Sequence, residues 1–351
     1  MINPRDLGAT LLTIVGVGVV LVGMEAGLRW EQLPSMPDRE GFAGACAGVS
    51  GGALLVAGGA NFPDKKPWEG GTKVWHETVF ALDRPDGRWT VVGKLPRPHG
   101  YGVAVTHRDG VICVGGSDAN GHYADSVRLD LRDGRLVTTN LPSLPLPVAN
   151  ACGAIVSNTL YVAGGQERPD STVTLKRVFA LDLEARVPRW REVEAWPGPG
   201  RMLAVAVAFE GAFWLIGGAD LTVVSDGAVE RRYLRDAYRY DPRRGWERIA
   251  DVPHAVVAAP SPGPALESGP IVLGGDDGTQ GGVAPDEHRG FSKRVLLHDR
   301  KSGTWRQIGE LPAPRVTVPL VRWDQRWVIP SGEARPGVRS PDVWSALPYA
   351  K

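Results

Sequence analysis

Short apolar runs alternate with polar stretches along most of this chain, and five of those runs end in a glycine pair. They are Ala53-Leu-Leu-Val-Ala before Gly58-Gly59, Val111-Ile-Cys-Val before Gly115-Gly116, Leu160-Tyr-Val-Ala before Gly164-Gly165, Phe213-Trp-Leu-Ile before Gly217-Gly218, and Ile271-Val-Leu before Gly274-Gly275. A sixth, Trp327-Val-Ile-Pro, ends in a degenerate Ser331-Gly332. Successive pairs lie 49 to 57 residues apart (164−115 and 115−58). Short β-rich runs bounded by turn residues predict strands. Each repeat also carries three other parts. A segment of small apolar residues comes first, as at 41–49; a run ending in an acid comes third, as at 77–83; and a fourth run usually starts at Trp and ends in Leu-Pro, as at 89–96. One repeat lacks the Trp and reads Leu136-Val-Thr-Thr-Asn-Leu-Pro142.

A sustained period near 50 residues marked by a diglycine is the pattern of kelch repeats, each one blade of a propeller. The predicted fold class is therefore all-β, a six-bladed kelch-type β-propeller. The chain ends on a third-run match, Asp342-Val-Trp-Ser-Ala-Leu347, with no fourth run after it. The missing run is at the other end, where Leu28-Arg-Trp-Glu-Gln-Leu-Pro34 matches Trp305-Arg-Gln-Ile-Gly-Glu-Leu-Pro312. An N-terminal strand is thus expected to complete the sixth blade and close the ring, which leaves only short, protected edges. Residues 27–351 form one propeller domain in this reading.

Residues 7–24 contain no charge and do not fit the blade pattern. Their length is at the lower limit for a spanning helix and slightly long for a signal-peptide core. Residues 1–26 are accordingly read as a signal peptide or membrane anchor, and the protein as periplasmic or otherwise exported. Any membrane contact would come only through 7–24, if uncleaved. With 40 basic and 39 acidic residues in 351, the net charge of +1 leaves no electrostatic footprint for nucleic acid. Cys46, Cys113 and Cys152 sit among small apolar residues in predicted inner strands and read as buried thiols rather than a disulfide framework. No CxxC or HExxH pattern proposes a metal.

The sixth repeat departs from the others in Gly332-Glu-Ala-Arg-Pro-Gly-Val-Arg339. Glu333 directly follows an inner strand, so it is expected at the channel mouth with Arg335 and Arg339 close behind. This stretch resembles the signature of the N-acetylneuraminate epimerases, the kelch-type sialic acid mutarotases. Gly41-Phe-Ala-Gly44, Ala57-Gly-Gly-Ala-Asn-Phe-Pro63, Arg97-Pro-His-Gly-Tyr-Gly-Val103, Pro199-Gly-Arg201 and Phe291-Ser-Lys-Arg-Val-Leu-Leu-His-Asp299 agree with it. The signature falls in the last blade rather than mid-chain, so the chain looks like a cyclically permuted member.

The resemblance implies an exported isomerase that interconverts the α and β anomers of N-acetylneuraminate without a cofactor. It makes Glu333 the proton acceptor and carries the two basic positions over to Arg339 and Arg335. Arg suits the sugar's carboxylate through paired hydrogen bonds. Arg201 and Arg315, each just before a predicted inner strand, are further candidates to face the channel. Asn61, His76, His99, Asn150, Gln166 and Lys293 could bind the glycerol or N-acetyl arms. His288 reads as solvent-facing, and the stretch from Asn61 to Lys73 as a lip over the site. The partner expected is a small sugar acid, and the second proton-transfer group and the oligomeric state stay open. Two other readings are a non-catalytic propeller binding a protein or glycan, and a mutarotase for another acidic sugar.

Overall fold

The computed structural model describes residues 26–225 and 227–350. The predicted leader falls almost wholly outside them. Six four-stranded antiparallel sheets follow one another, each meandering from an inner to an outer strand. Blade one uses Cys46–Ser50, Ala53–Ala57, Thr78–Leu82 and Thr90–Lys94. Blades two to four repeat the pattern from Val103–Thr106, Cys152–Val156 and Val205–Phe209. In blade five the innermost strand shrinks to Ala265–Leu266 after Pro260-Ser-Pro-Gly-Pro264, since proline cannot donate to a ladder.

Blade six joins the two ends of the chain. Ala26–Leu33 pairs antiparallel with Val343–Ala350 over eight positions, from Ala26 opposite Ala350 to Leu33 opposite Val343. The predicted closure is therefore present. Arg326 adds an ion pair to Glu31 at 2.6 Å, tying the second strand of the blade to the N-terminal strand. Trp30 packs on a core cluster that includes Leu273, Leu297, Leu311 and Ile329, so the closing strand also contacts blade five.

The recurrent Trp couples neighbours by more than apolar area. Trp89 Nε1 donates to Pro34 O, Trp190 to Pro142 O, Trp246 to Glu194 O and Trp305 to Ala250 O, at 2.7–2.8 Å. In each case the acceptor belongs to the preceding blade. The indole thus buries its face and satisfies its one donor across the interface.

Around the axis one residue per blade adopts the left-handed backbone: Gly44, Tyr101, Asn150, Leu203, Ala258 and Thr317, with φ between 53° and 66°. Each donates its backbone N–H to the carbonyl of its counterpart in the blade before. The bonds run Tyr101 to Gly44, Asn150 to Tyr101, Leu203 to Asn150, Ala258 to Leu203, Thr317 to Ala258 and Gly44 to Thr317, at 2.6–2.9 Å. The six bonds form a closed ring that constricts the channel. They also satisfy backbone groups that the inner strands leave unpaired. Five of these residues are not glycine and carry the conformational cost of φ > 0, offset by the ring.

One cysteine expectation is corrected. Cys46 and Cys113 form a disulfide, with Cα atoms 6.1 Å apart, while Cys152 remains a buried thiol. The bridged pair lies on strands of blades one and two that stack face to face, in one shared core cluster. That adjacency comes from blade packing and leaves no mark in local sequence. Burial pushes the Cys152 thiol up to about 12, so it stays protonated at neutral pH.

Candidate functional site

Above the backbone ring, each blade presents the residue that follows its glycine pair. These are Ala60, Ser117, Gln166, Ala219, Asp276 and Glu333, bridged respectively to Ala43, Gly100, Ala149, Met202, Val257 and Val316. Two equivalent circles of positions therefore surround one mouth. The chemistry there is set by which side chains occupy them. Polar groups lie on blades two, three, five and six, whereas blade four offers Met202, Leu203 and Ala219.

In blade six the glycine pair is replaced by Ser331-Gly332. Ser331 keeps the left-handed backbone at φ 75°. Its hydroxyl accepts the Phe42 N–H at 2.7 Å and donates to Ser340 O at 2.7 Å. The serine thus ties the end of the following hairpin to blade one. That hairpin pairs Glu333–Arg335 with Val338–Arg339, and Glu333 stands directly opposite Arg339.

Glu333 and Arg339 are the centre of the site. The Glu333 Oε1 accepts from the Gly337 N–H at 2.8 Å and from Arg339 Nη1 at 3.3 Å. Arg339 also donates through Nε to Ala60 O at 3.3 Å and through Nη2 to the Tyr101 hydroxyl at 3.4 Å, with its guanidinium 4.7 Å from the Phe62 ring centre. Its side chain is only 4% exposed and that of Glu333 16%. A carboxylate held on one oxygen by two donors is oriented before any ligand arrives, and no hydrogen bond to a described residue engages its Oε2.

These groups open on a cavity of about 290 Å³ at the mouth. Glu333, Arg339 and Pro336 line it from blade six, Tyr101 from blade two and Lys73 from the first-blade lip. Asn150 and Gln166 line it from blade three, Arg231 from blade four, and Asp276 and Phe291 from blade five. Below the ring the channel narrows to about 60 Å³ among Ala45, Ala104, Ala151, Ala204, Ala259 and Val318. A sugar-sized ligand is therefore confined to the mouth.

Of the candidates from sequence, Glu333, Arg339, Asn150 and Gln166 meet at this cavity. Asn150 Nδ2 donates to Gln166 Oε1 at 3.1 Å, which fixes both amides. The others are placed elsewhere. Arg335 donates to Asp286 O at 3.0 Å and lies 5.8 Å from the Trp68 ring, on the outer side of the hairpin. Regular alternation would set residues 333 and 335 on one face, but the hairpin register shifts between them, so Glu333 stands opposite Arg339 while Arg335 lies across from Val338.

Arg201 and Arg315 do not face the channel. Arg201 is fully buried, pairs with Asp236 at 2.8 Å and sits 5.2 Å from the rings of both Trp196 and Tyr238. Arg315 is bound to Asp342 at 2.9 Å and to the Ser340 hydroxyl at 2.7 Å. Each Arg ties the start of a blade to the acid before its third strand. Burial raises the Asp236 carboxyl, but the Arg201 hydrogen bond and charge outweigh it and hold the group below the ordinary range.

Asn61 is buried, donating to Asp38 and to Gly41 O at 3.0 Å each, with His76 Nε2 2.8 Å from its Oδ1. Burial lowers the His76 pKa against a raising influence from Asp38. His99 Nδ1 lies 2.7 Å from the Tyr123 hydroxyl inside blade two, and burial, helped by Arg97, pushes the ring down to about 4. Lys293 pairs loosely with Glu310 at 3.9 Å on an outer face. His288, expected in solvent, is buried at 5% exposure. Its ring lies 5.2 Å from Phe291, and its Nδ1 accepts the Gly290 N–H at 3.0 Å.

Sequence reasoning missed Tyr101, Lys73, Arg231 and Asp276. The signal for Asp276 was present, since it follows Gly274-Gly275 as Glu333 follows Ser331-Gly332. Tyr101 likewise occupies the repeat position of Asn150. Lys73 and Arg231 stand on hairpins peculiar to single blades, so no repeat register locates them.

A sequence model of the N-acetylneuraminate epimerases matches residues 17–138 and 141–277, well over half of the chain. The chain belongs to the N-acetylneuraminate epimerase family. Curated N-acetylneuraminate epimerases resemble it over shorter stretches. That of Haemophilus influenzae (strain 86-028NP) is 37% identical over 126 residues, covering 32% of this chain and 33% of its own. That of Salmonella enteritidis PT4 (strain P125109) is 42% identical over 123 residues, covering 31% and 32%. The chain thus spans about a third of the length of the curated relatives it matches. A solved structure, that of YjhT, superposes with a TM-score of 0.64 at 18% identity, covering 89% of this chain and 95% of its own, and so shares the fold. The matched residues of the epimerase family model end at 277, before the hairpin that carries Glu333 and Arg339.

Proposed function

We propose that this protein interconverts the α and β anomers of N-acetylneuraminate at the mouth cavity, with Glu333 as the base. One observation carries the reading: Glu333 lines a ligand-sized cavity with Oε1 fixed by Arg339 and Gly337 and with Oε2 unengaged by any described residue. Membership of the epimerase family supports the substrate class.

The reaction needs little machinery. Glu333 takes the proton of the anomeric hydroxyl as the bond from the anomeric carbon to the ring oxygen breaks. This leaves an open-chain ketone, and the ring oxygen takes up a proton. Both oxygens are bonded to the same carbon, so Glu333, now a carboxylic acid, can return the proton it has just received. Rotation about the bond next to the carbonyl presents its other face. The reverse steps then reclose the ring, and atoms and charge balance with no cofactor. Positioned acid–base groups contribute about 10²- to 10⁴-fold, enough for a reaction that already proceeds in water. Because no blade neighbour changes when a closed ring is cut elsewhere, a cyclic permutation of the family order is compatible with an intact site.

The test follows a freshly dissolved pure anomer of N-acetylneuraminate by proton NMR, beside neutral and other acidic sugars. The protein is expected to speed relaxation of N-acetylneuraminate most. An unchanged relaxation rate would sink the assignment, and preference for another acid would reassign the substrate.

We also propose that the protein is exported. The uncharged stretch 7–24 and the Cys46–Cys113 disulfide support this, because such bonds persist in oxidising compartments. Thiol labelling of the protein from its native cells, without reductant, should modify at most one cysteine per denatured chain. Labelling of all three would overturn the proposal.

A further inference from the structure

The sugar acid proposed above carries a carboxylate on its anomeric carbon, and the arginines that sequence offered for it are occupied. All three guanidinium nitrogens of Arg339 donate within the protein, to Ala60, Glu333 and Tyr101. Arg335 faces Asp286 and Trp68, and Arg201 and Arg315 are buried in ion pairs.

Lys73 is different. It stands where the first-blade lip returns to the ring, just before the strand Val74–Trp75. Its ammonium lies 5.3 Å from the Trp75 ring, 5.1 Å from Tyr101 and 6.0 Å from Phe62, and it lines the cavity. Three aromatic rings attract the charge but accept none of its three N–H donors through lone pairs. No hydrogen bond or ion pair to a described residue engages it. A half-buried ammonium in that state gains most from an anion arriving in the cavity.

Its position matches the geometry of the substrate. Carboxylate and anomeric hydroxyl share one carbon, so their anchor and their base must be neighbours. Lys73 rests on the face of Tyr101, while the Tyr101 hydroxyl accepts from Arg339, which in turn pairs with Glu333. Arg231, the other cation lining the cavity without an assigned role, stands on the hairpin of blade four, across the ring from blade one.

We propose that Lys73 is the carboxylate anchor of this site and the residue that sets its preference for an acidic sugar. This rests on the anomer-interconversion reading. The three rings hold the ammonium at the cavity, and the bound carboxylate in turn places the anomeric hydroxyl at Glu333.

The test measures anomer relaxation of N-acetylneuraminate and of its methyl ester, which lacks the charge, with wild type, Lys73→Met and Lys73→Arg. Wild type is expected to favour the acid over the ester by at least tenfold in kcat/KM. Lys73→Met should remove that preference, mainly by raising KM for the acid well beyond any change for the ester, and Lys73→Arg should keep part of it. An unchanged thermal midpoint in Lys73→Met separates this from loss of fold. If Lys73→Met retains the wild-type preference for the acid, the anchor assignment is wrong while the function stands. If wild type accelerates neither compound, the function falls and the anchor with it.

Discussion

Single residues in this propeller divide by whether their polar atoms are engaged inside the blades or left facing the cavity. Arg201 and Glu333 illustrate the two cases. Both are charged groups beside strand ends that the sequence nominates for the site, Glu333 as the base and Arg201 as a further candidate to face the channel. Only the fold shows that Arg201 is enclosed by Trp196, Tyr238 and Asp236, while Glu333 keeps an oxygen toward the mouth. Truncating one partner of a buried pair leaves the other charge uncompensated, at a cost of about 3–5 kcal/mol. Arg201→Met should therefore lower the urea midpoint strongly, while the folded fraction keeps wild-type anomer relaxation. A tenfold loss of activity without a stability change would place Arg201 in the site after all. Glu333 was legible because it broke a repeat. Lys73 was not, because an ammonium within a box of rings drawn from residues 62, 75 and 101 is a tertiary arrangement with no local signature.

At the scale of elements, each blade adds the same two positions to the mouth, and hairpins on individual blades supply what the repeat lacks. The predicted lip from Asn61 to Lys73 is one such element. Its Pro67 and Trp68 crowd the turn at Gly337, where an added Cβ would lie 2.8 Å from Pro67. Arg335 joins the sixth-blade hairpin to Trp68 on that lip and to Asp286 on the fifth-blade insertion. It acts as a clasp at the rim rather than a group inside the cavity. Strand order, the diglycine turns and the recurrence of Trp were all readable from periodicity, since each reflects a pattern repeated in register. The disulfide was not, because Cys46 and Cys113 meet only when two blades stack.

For the whole molecule, the N-terminal strand joins the two chain ends into one closed ring, and the stability of that ring is sensitive to acid. Six of the seven histidines, at 76, 99, 107, 122, 254 and 298, are held below the ordinary value chiefly by burial. The sign follows directly. The unfolded chain takes up protons below about pH 6.5, whereas the folded form resists until lower pH, so stability falls as pH drops through that window. His99 alone, lowered from 6.5 to about 4, is worth about 3 kcal/mol across it. The urea midpoint should decline between pH 6.5 and 4.5, and a flat midpoint there would contradict the neutral, buried state of these rings.

The central claim is that the carboxylate at the mouth performs the proton transfer. The most direct measurement is the anomer relaxation rate of N-acetylneuraminate with Glu333→Gln, an isosteric change that leaves the Gly337 contact possible and removes the base. The account predicts that the catalytic acceleration drops by about 10²- to 10⁴-fold in protein that is still folded at the assay temperature, with the thermal midpoint lowered by loss of the charge that faces buried Arg339. Acceleration equal to wild type would contradict it.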